Sequence, residues 1–255
     1  MPAHLASRRR LPNVASKGPT PLRTRRTVHY MITLHHLEYS QSFRILWLLE
    51  AMGIGYELVC YDRDPKTHLA PPEYKALSPL ASAPVITDGD RVLAESSAII
   101  DYLLDLYPNE TLRPSAGSPH RTRYLFWFHA GQGTMMPIML VDSLFRIMRE
   151  RVPFILKPMI GGLHKLVETG FSKPRMDGLL ALAEADLAEA DWFGGDSLTA
   201  ADTLMCYSMV SAYERGFINK RHPQCLAWIE RMEAEPSFQR AKELDGRESM
   251  VLPLG

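Results

Sequence analysis

The chain has 255 residues, enough for one large domain or two ordinary ones, and its 46% hydrophobic and 23% charged residues give the balance of a folded globular protein rather than a disordered one. No apolar run approaches the roughly 18–20 residues that a membrane-spanning helix needs; stretches such as Ile45 to Leu49 are far too short. The formal net charge is zero, but residues 1–30 carry Arg8, Arg9, Arg10, Lys17, Arg23, Arg25 and Arg26 and no acid, so the rest of the chain holds an excess of seven negative charges, which argues against nucleic-acid binding by the folded part.

Three cysteines, Cys60, Cys206 and Cys225, lie far apart with no C-x-x-C pair. An odd number in a chain of this size argues against a disulfide framework, and no Cys/His spacing resembles a zinc site, so no metal is expected. A reducing, cytoplasmic setting fits best. Residues 1–30 contain Pro2, Pro12, Pro19 and Pro21 and show no hydrophobic period, so a disordered basic extension is expected there. It reads as an extension without function preceding a start at Met31, as an Arg-rich transit-like peptide, or as a nucleic-acid-binding arm; without an apolar core it is not a secretory signal.

From residue 31 the pattern changes. Met31 to Leu37 reads as a strand, followed by a polar turn at Glu38 to Ser42. Ile45, Leu48, Leu49 and Met52 then recur at helical spacing, with Gly53 as a C-terminal cap. Tyr56, Leu58 and Cys60 alternate as a second strand up to Tyr61, and residues 62–80 predict a loop with a short helix. Pro84 to Thr87 and Arg91 to Leu93 read as strands joined by the turn signal Asp88-Gly89-Asp90. A helix follows over Glu95 to Tyr107 and stops before Pro108. A helical crossover makes the first two strands parallel, and the last two form a hairpin: the thioredoxin layout, over residues 31–110.

Pro108, Pro114, Gly117 and Pro119 mark residues 111–119 as a linker, and strand signals then stop. Residues 120–255 are expected to form an all-α helical domain, with a long helical stretch over Arg121 to Arg151 kinked at Pro137, and further helices near 153–169, 174–191, 199–214 and 222–234.

Four segments stand out. In Ser82 to Ile86, Pro84 opens a strand; by itself this is an edge or turn proline, but in this layout a cis Ala83–Pro84 bond would turn the polar backbone of Ala83 toward a peptide thiol. In Ala94 to Ile100, Glu95 and Ser96 open a helix, either as plain helix-start residues or as a site where free N–H groups and the Ser96 hydroxyl hold a carboxylate while Glu95 holds an ammonium. In Glu38 to Arg44, Ser40 is an N-cap or a hydroxyl that donates to a thiolate and raises the thiolate fraction; Tyr39 and Ser42 are rivals for that role. Thr199 and Asp202 have capping-box spacing, a structural feature. Trp127, Phe128, His129, Met135, Met136, Met139 and Phe145 read chiefly as core or interface, with the Met135 region able to line a pocket for an electrophile and His129 more a satisfied core or interface histidine than a base.

With His35 to Glu50, Pro84-Val85-Ile86, Glu95-Ser96 and Leu198 to Asp202 in this order, residues 31–240 resemble a bacterial or fungal-type glutathione transferase. The resemblance implies a homodimer in which the first domain binds glutathione as a cosubstrate, with no other cofactor, and activates its thiol for attack on a small hydrophobic electrophile. By position it assigns thiol activation to Ser40, with Tyr39 as alternative, and glutathione contacts to Ala83, Pro84, Glu95 and Ser96. The family often has Gly-Lys where this chain has Ala81-Ser82, so Lys66, His68 or Arg44 becomes the candidate cation for the glycine carboxylate. Glutathione-dependent isomerisation, peroxide reduction or dehalogenation, and a non-catalytic binding role, are alternatives on the same fold; a glutaredoxin-like reaction lacks a thiol near Ser40.

Overall fold

The computed structural model describes residues 31–251; the expected basic extension of residues 1–30 lies outside them. The N-terminal half is a four-stranded mixed sheet built from β1 (Ile32–Leu37), β2 (Tyr56–Tyr61), β3 (Val85–Asp88) and β4 (Arg91–Ala94) in the order β2-β1-β3-β4. β2 runs parallel to β1, with Ile32 opposite Tyr56, while β3 is antiparallel to both β1 and β4. This is the thioredoxin-like sheet that the sequence predicts. β2 forms its edge, and the inward alternation expected there fails at Cys60, which is exposed. An edge strand is covered less completely than a central one.

Helix α1 (Ser42–Met52) follows β1 and closes at Gly53, whose left-handed φ of 64° lets its N–H reach the Leu49 carbonyl at 3.1 Å. Every residue from Ser42 to Leu49 is buried, so α1 has no solvent face and must be covered on all sides. The sheet covers one side. The other is covered by α8 (Ala200–Glu214) and α10 (Pro236–Asp245) of the helical half: Trp47 donates to Ser237 Oγ at 2.9 Å and meets Phe238 edge-on at 5.2 Å. One continuous apolar core therefore runs from the sheet through α1 into the helices. The one-turn helix α2 (Pro72–Lys75) and α3 (Ser96–Leu106) complete the first half.

The helical half departs from expectation at three places. Arg121 to Arg151 is the long helical run expected, but where a kink was expected at Pro137, α4 (Arg121–Ala130) and α5 (Met136–Arg151) are joined by a π-turn over Gly131–Met135. The stretches expected as separate helices on either side of residue 170 are likewise continuous, α6 (Lys157–Val167) passing through a π-turn, Glu168–Ser172, into α7 (Lys173–Glu189). Each π-turn ends two residues before a proline, and in each the residue four before that proline is glycine: Gly133 before Pro137, Gly170 before Pro174. Proline removes one N–H and crowds the carbonyl four residues back; widening one turn absorbs both, and the helix continues.

The third departure is α10, a helix the hydrophobic pattern did not reveal. It follows α9 (Pro223–Ala234) after one residue, Glu235, whose carboxylate accepts from the amides of Ser237 and Phe238 at 2.7 and 3.0 Å. At α8 the expected capping box is present: Asp202 accepts from the Thr199 amide and hydroxyl at 2.9 and 2.8 Å. Its other oxygen accepts from Phe193 N and Trp228 Nε1 at 2.8 and 3.1 Å, so this cap is also the polar centre of the helical core. No helix among the described residues is long and apolar enough to cross a membrane.

Candidate active site

The strand directions bring the singled-out segments to one end of the sheet. β1, β2 and β4 all finish there and β3 begins there, because Val85 pairs with both His35 and Ala94. The turn with Tyr39 and Ser40, the Ala83–Pro84 bond and the Glu95–Ser96 corner therefore share the edge at which ligands of open α/β sheets bind, outside the strands' carboxyl ends. A small cluster of Leu37, Ala70, Tyr74 and Val85 packs beneath it.

The backbone at this end is held in uncommon conformations. The four non-glycine residues with positive φ among the described residues are Tyr39 (50°), His68 (56°), Ala81 (50°) and Glu95 (75°), and each lies in a loop at this end of the sheet. Such conformations persist where packing enforces them, and they concentrate at ligand clamps. The Ala83–Pro84 bond is cis, as expected.

At the corner before α3 no side chain caps the helix start. Glu95 occupies the N-cap position but makes no side-chain capping bond, and its side chain is exposed. Ser96 is 1% exposed, yet its hydroxyl has no hydrogen-bond partner. The first intrahelical bond runs from Ile99 N to Glu95 O, leaving the amides of Ser96, Ser97 and Ala98 at the open, partially positive helix end. A partnerless buried hydroxyl thus stands beside three backbone donors at a helix start.

At the β1–α1 turn, Ser40 is 6% exposed. Its hydroxyl lies 2.7 Å from the Leu37 carbonyl and 2.8 Å from Ser42 Oγ, and accepts from the Ser42 amide at 3.2 Å. It thereby steadies the start of α1 without being the N-cap, which is Gln41. Ser42, a rival in sequence, is fully buried, and its hydroxyl is tied to His36 Nδ1 at 2.8 Å. Tyr39, the alternative, lies beneath the guanidinium of Arg247, which stands 5.8 Å over its ring.

Of the candidate cations, Arg44 is withdrawn from the surface. It is fully buried, donates to Gln41 Oε1 and Ser208 Oγ at 2.7 and 2.8 Å, and burial pushes its guanidinium down to about 10. It ties α1 to α8, where an aligned arginine was expected as a possible ligand group. Lys66 and His68 are both exposed in the loop after β2. Two arginines that the sequence did not single out brace this end. Arg63 donates to the carbonyls of Glu38, His68 and Tyr39 at 2.9, 3.0 and 3.4 Å. Arg247, beyond α10, pairs with Glu38 at 2.7 Å and with Asp62 at 2.5 Å. The sequence reasoning also missed His36 and Asp245, whose Nε2 and Oδ1 lie 2.7 Å apart, both buried. Neighbouring His35 is an ordinary satisfied core histidine, held by Tyr61 and Thr87.

On α4, the π-turn and α5, Trp127, Phe128, Met135 and Met139 are buried in the core, as expected. His129 is not: it is exposed and meets the edge of Phe128, because it falls on the outer face of α4. Phe145 stacks on His164 at 5.2 Å.

The fold is a thioredoxin-like sheet with its helices and a docked all-helical half. Residues 40–106 match the family model described as glutathione S-transferase, N-terminal domain. The chain is 31% identical to glutathione S-transferase 1 of Triticum aestivum over 205 residues, covering 77% of this chain and 86% of that one. It is 28% identical to glutathione S-transferase 3 of Schizosaccharomyces pombe over 214 residues, covering 84% and 87%. Among solved structures, a glutathione S-transferase from Actinobacillus pleuropneumoniae is 32% identical and superposes with a TM-score of 0.65 over 85% of this chain and 93% of that one. The chain belongs to the glutathione S-transferase family.

Proposed function

We propose that the chain is a serine-type glutathione transferase. The observation that supports this most is the convergence, at one sheet end, of a hydroxyl able to meet a thiol (Ser40), a cis Ala83–Pro84 bond, and an orphan buried hydroxyl at an open helix end (Ser96). Glutathione matches those three features in order. Its cysteinyl backbone pairs with Ala83, as an added strand would; its γ-glutamyl carboxylate takes the α3 amides and Ser96; its ammonium faces Glu95. The Ser40 hydroxyl donates to the sulfur and favours the thiolate. The thiolate then attacks an electrophilic carbon, forming the S–C bond while the leaving group departs with its electron pair. Holding both reactants together and raising the thiolate fraction supply the rate.

The electrophile is apolar and small, and the partner is a second copy of this chain in the cytosol, as the resemblance implies. The testing experiment is calorimetry of reduced glutathione with the parent and Ser40→Ala, combined with the ultraviolet absorbance of bound thiolate against pH. The expected result is that both bind and that Ser40→Ala forms thiolate only at higher pH. Failure of the parent to bind at millimolar glutathione would overturn the enzyme reading and leave a binding protein without this cosubstrate. A substrate panel of epoxides, halides, peroxides and isomerisable acids separates conjugation from the other reactions of the fold.

A further inference from the structure

Behind Ser40 the structure holds a continuous chain of hydrogen-bonding groups that the proposed reaction does not use. Ser40 Oγ is 2.8 Å from Ser42 Oγ, Ser42 Oγ is 2.8 Å from His36 Nδ1, and His36 Nε2 is 2.7 Å from Asp245 Oδ1. Ser42 is fully buried and His36 is 2% exposed, so neither can touch a ligand; the chain meets the site edge only at Ser40. We propose that the His36–Asp245 pair accepts the proton leaving the bound thiol, relayed through the hydroxyls of Ser42 and Ser40. The inference rests on the placement of the glutathione thiol at Ser40.

The hydrogen inventory sets the direction. With a carboxylate at Nε2, the neutral imidazole carries its proton there and presents Nδ1 as an acceptor. The Ser42 hydroxyl has one proton and two acceptors, His36 Nδ1 at 2.8 Å and the Leu37 carbonyl at 3.1 Å, and the nearer, Nδ1, takes it. Ser42 Oγ still accepts from the Leu37 amide at 3.1 Å and has room for the Ser40 proton, which turns to it from the Leu37 carbonyl 2.7 Å away when the bound thiol donates to Ser40. Three protons then move by one hydrogen bond each: S–H to Ser40 Oγ, Ser40 O–H to Ser42 Oγ, Ser42 O–H to His36 Nδ1. Each serine regains one proton, Ser40 now donates to the thiolate, and the new imidazolium stands against Asp245. A thiol and an imidazole become a thiolate and an imidazolium, with no net change of charge. A buried ionic pair serving only to join β1 to α10 is replaceable by apolar side chains at little loss; a continuous connection to a surface hydroxyl is not.

The charged and titratable groups around the pair are Cys60 opposite His36 on β2, Glu38 and Asp62 in the neighbouring loops, Lys242 one turn earlier on α10, and Arg247, which donates to the Asp245 carbonyl at 2.8 Å. All stay in place in the variants below. Two quantities are measured on the full chain with reduced glutathione: thiolate formed, by absorbance, and protons released to solvent, by calorimetry in buffers of different ionisation enthalpy. In the parent near neutral pH, the relay gives thiolate with fewer than about half as many protons released. Asp245→Asn retains an acceptor for Nε2–H but removes the charge that balances the imidazolium. It should raise the apparent pKa of the bound thiol by about one unit, roughly a tenfold loss of thiolate at fixed pH, with one proton released per thiolate. Ser42→Ala, which cuts the chain and leaves the buried pair intact, should do the same, and Ser42→Thr should recover the parent behaviour. One proton per thiolate in the parent, or parent-like titrations in both Asp245→Asn and Ser42→Ala, would overturn the relay. If Ser40→Ala also titrates like the parent, the placement of the thiol at Ser40 fails as well; if Ser40→Ala alone shifts, only the relay does.

Discussion

The substitution Ser96→Ala should act with opposite signs on the free protein and on the complex. In the free protein the Ser96 hydroxyl is buried without a partner, and leaving a polar group in that state costs about 1–3 kcal/mol. Alanine removes the cost and only one oxygen of volume, so the free protein should become more stable by up to about 1–2 kcal/mol, read as a rise in urea midpoint at constant slope. In the complex the same hydroxyl donates to a carboxylate, a bond to a charged group worth about 1.5–3 kcal/mol. Its loss should raise the glutathione dissociation constant roughly ten- to a hundredfold. At saturating ligand the two effects oppose each other, because the stabilisation supplied by ligand shrinks as affinity falls. Urea titrations with and without glutathione, together with calorimetric binding, measure both. A variant that is less stable alone and binds glutathione like the parent would refute the reasoning and leave Ser96 a packing residue.

Two further predictions concern the framework. The hydroxyls of Tyr74 and Tyr124 are buried without partners, and burial raises both phenols above their ordinary value of 10.0. Unfolded tyrosines ionise first, so the unfolded state binds fewer protons above that pH; the contribution to stability is complete below about pH 10 and is lost as pH rises. Tyr74→Phe with Tyr124→Phe should therefore leave stability at pH 7 unchanged or higher and flatten its fall between about pH 10 and 11.5; an unaltered alkaline slope in denaturation curves counts against this. At α8, Asp202→Asn keeps the shape of the side chain but turns an NH2 toward two of the four donors that now converge on it, which should destabilise the fold by about 3–5 kcal/mol in chemical denaturation. A loss below about 1 kcal/mol would mean the surroundings rearrange to satisfy both donors.

Much of the site was legible because its parts are local. The strand and helix order, the proline at the head of β3 and the acid–hydroxyl pair at the head of α3 are each set by a few consecutive residues, and strand direction alone carries them to one edge. What escaped the sequence depends on distance or compensation. Asp245 is 209 residues from His36, and nothing in the local pattern around either residue announces the other. Arg44 carries a charge in a position that looks like a ligand contact, and only the packing of α8 shows it to be an internal tie. Proline at 174 reads as a stop signal, because the glycine four residues before it, which allows the turn to widen, carries no hydrophobic signal. Helix α10 has charged residues among its apolar ones and begins one residue after α9 ends, so its pattern merges with its neighbour's.

The docking of α10 on α1 also orders events during synthesis. Trp47 and His36 emerge from the ribosome well before their partners: Ser237 follows Trp47 by 190 residues and Asp245 follows His36 by 209. A nascent chain that had not yet made α10 would carry the sheet and the α3 corner, with α1 covered only by the sheet, α3 and α8. On the reading developed above, it would hold the cosubstrate as a thiol instead of a thiolate. Reactivity toward electrophiles would then begin only once α10 has been made and has docked on α1.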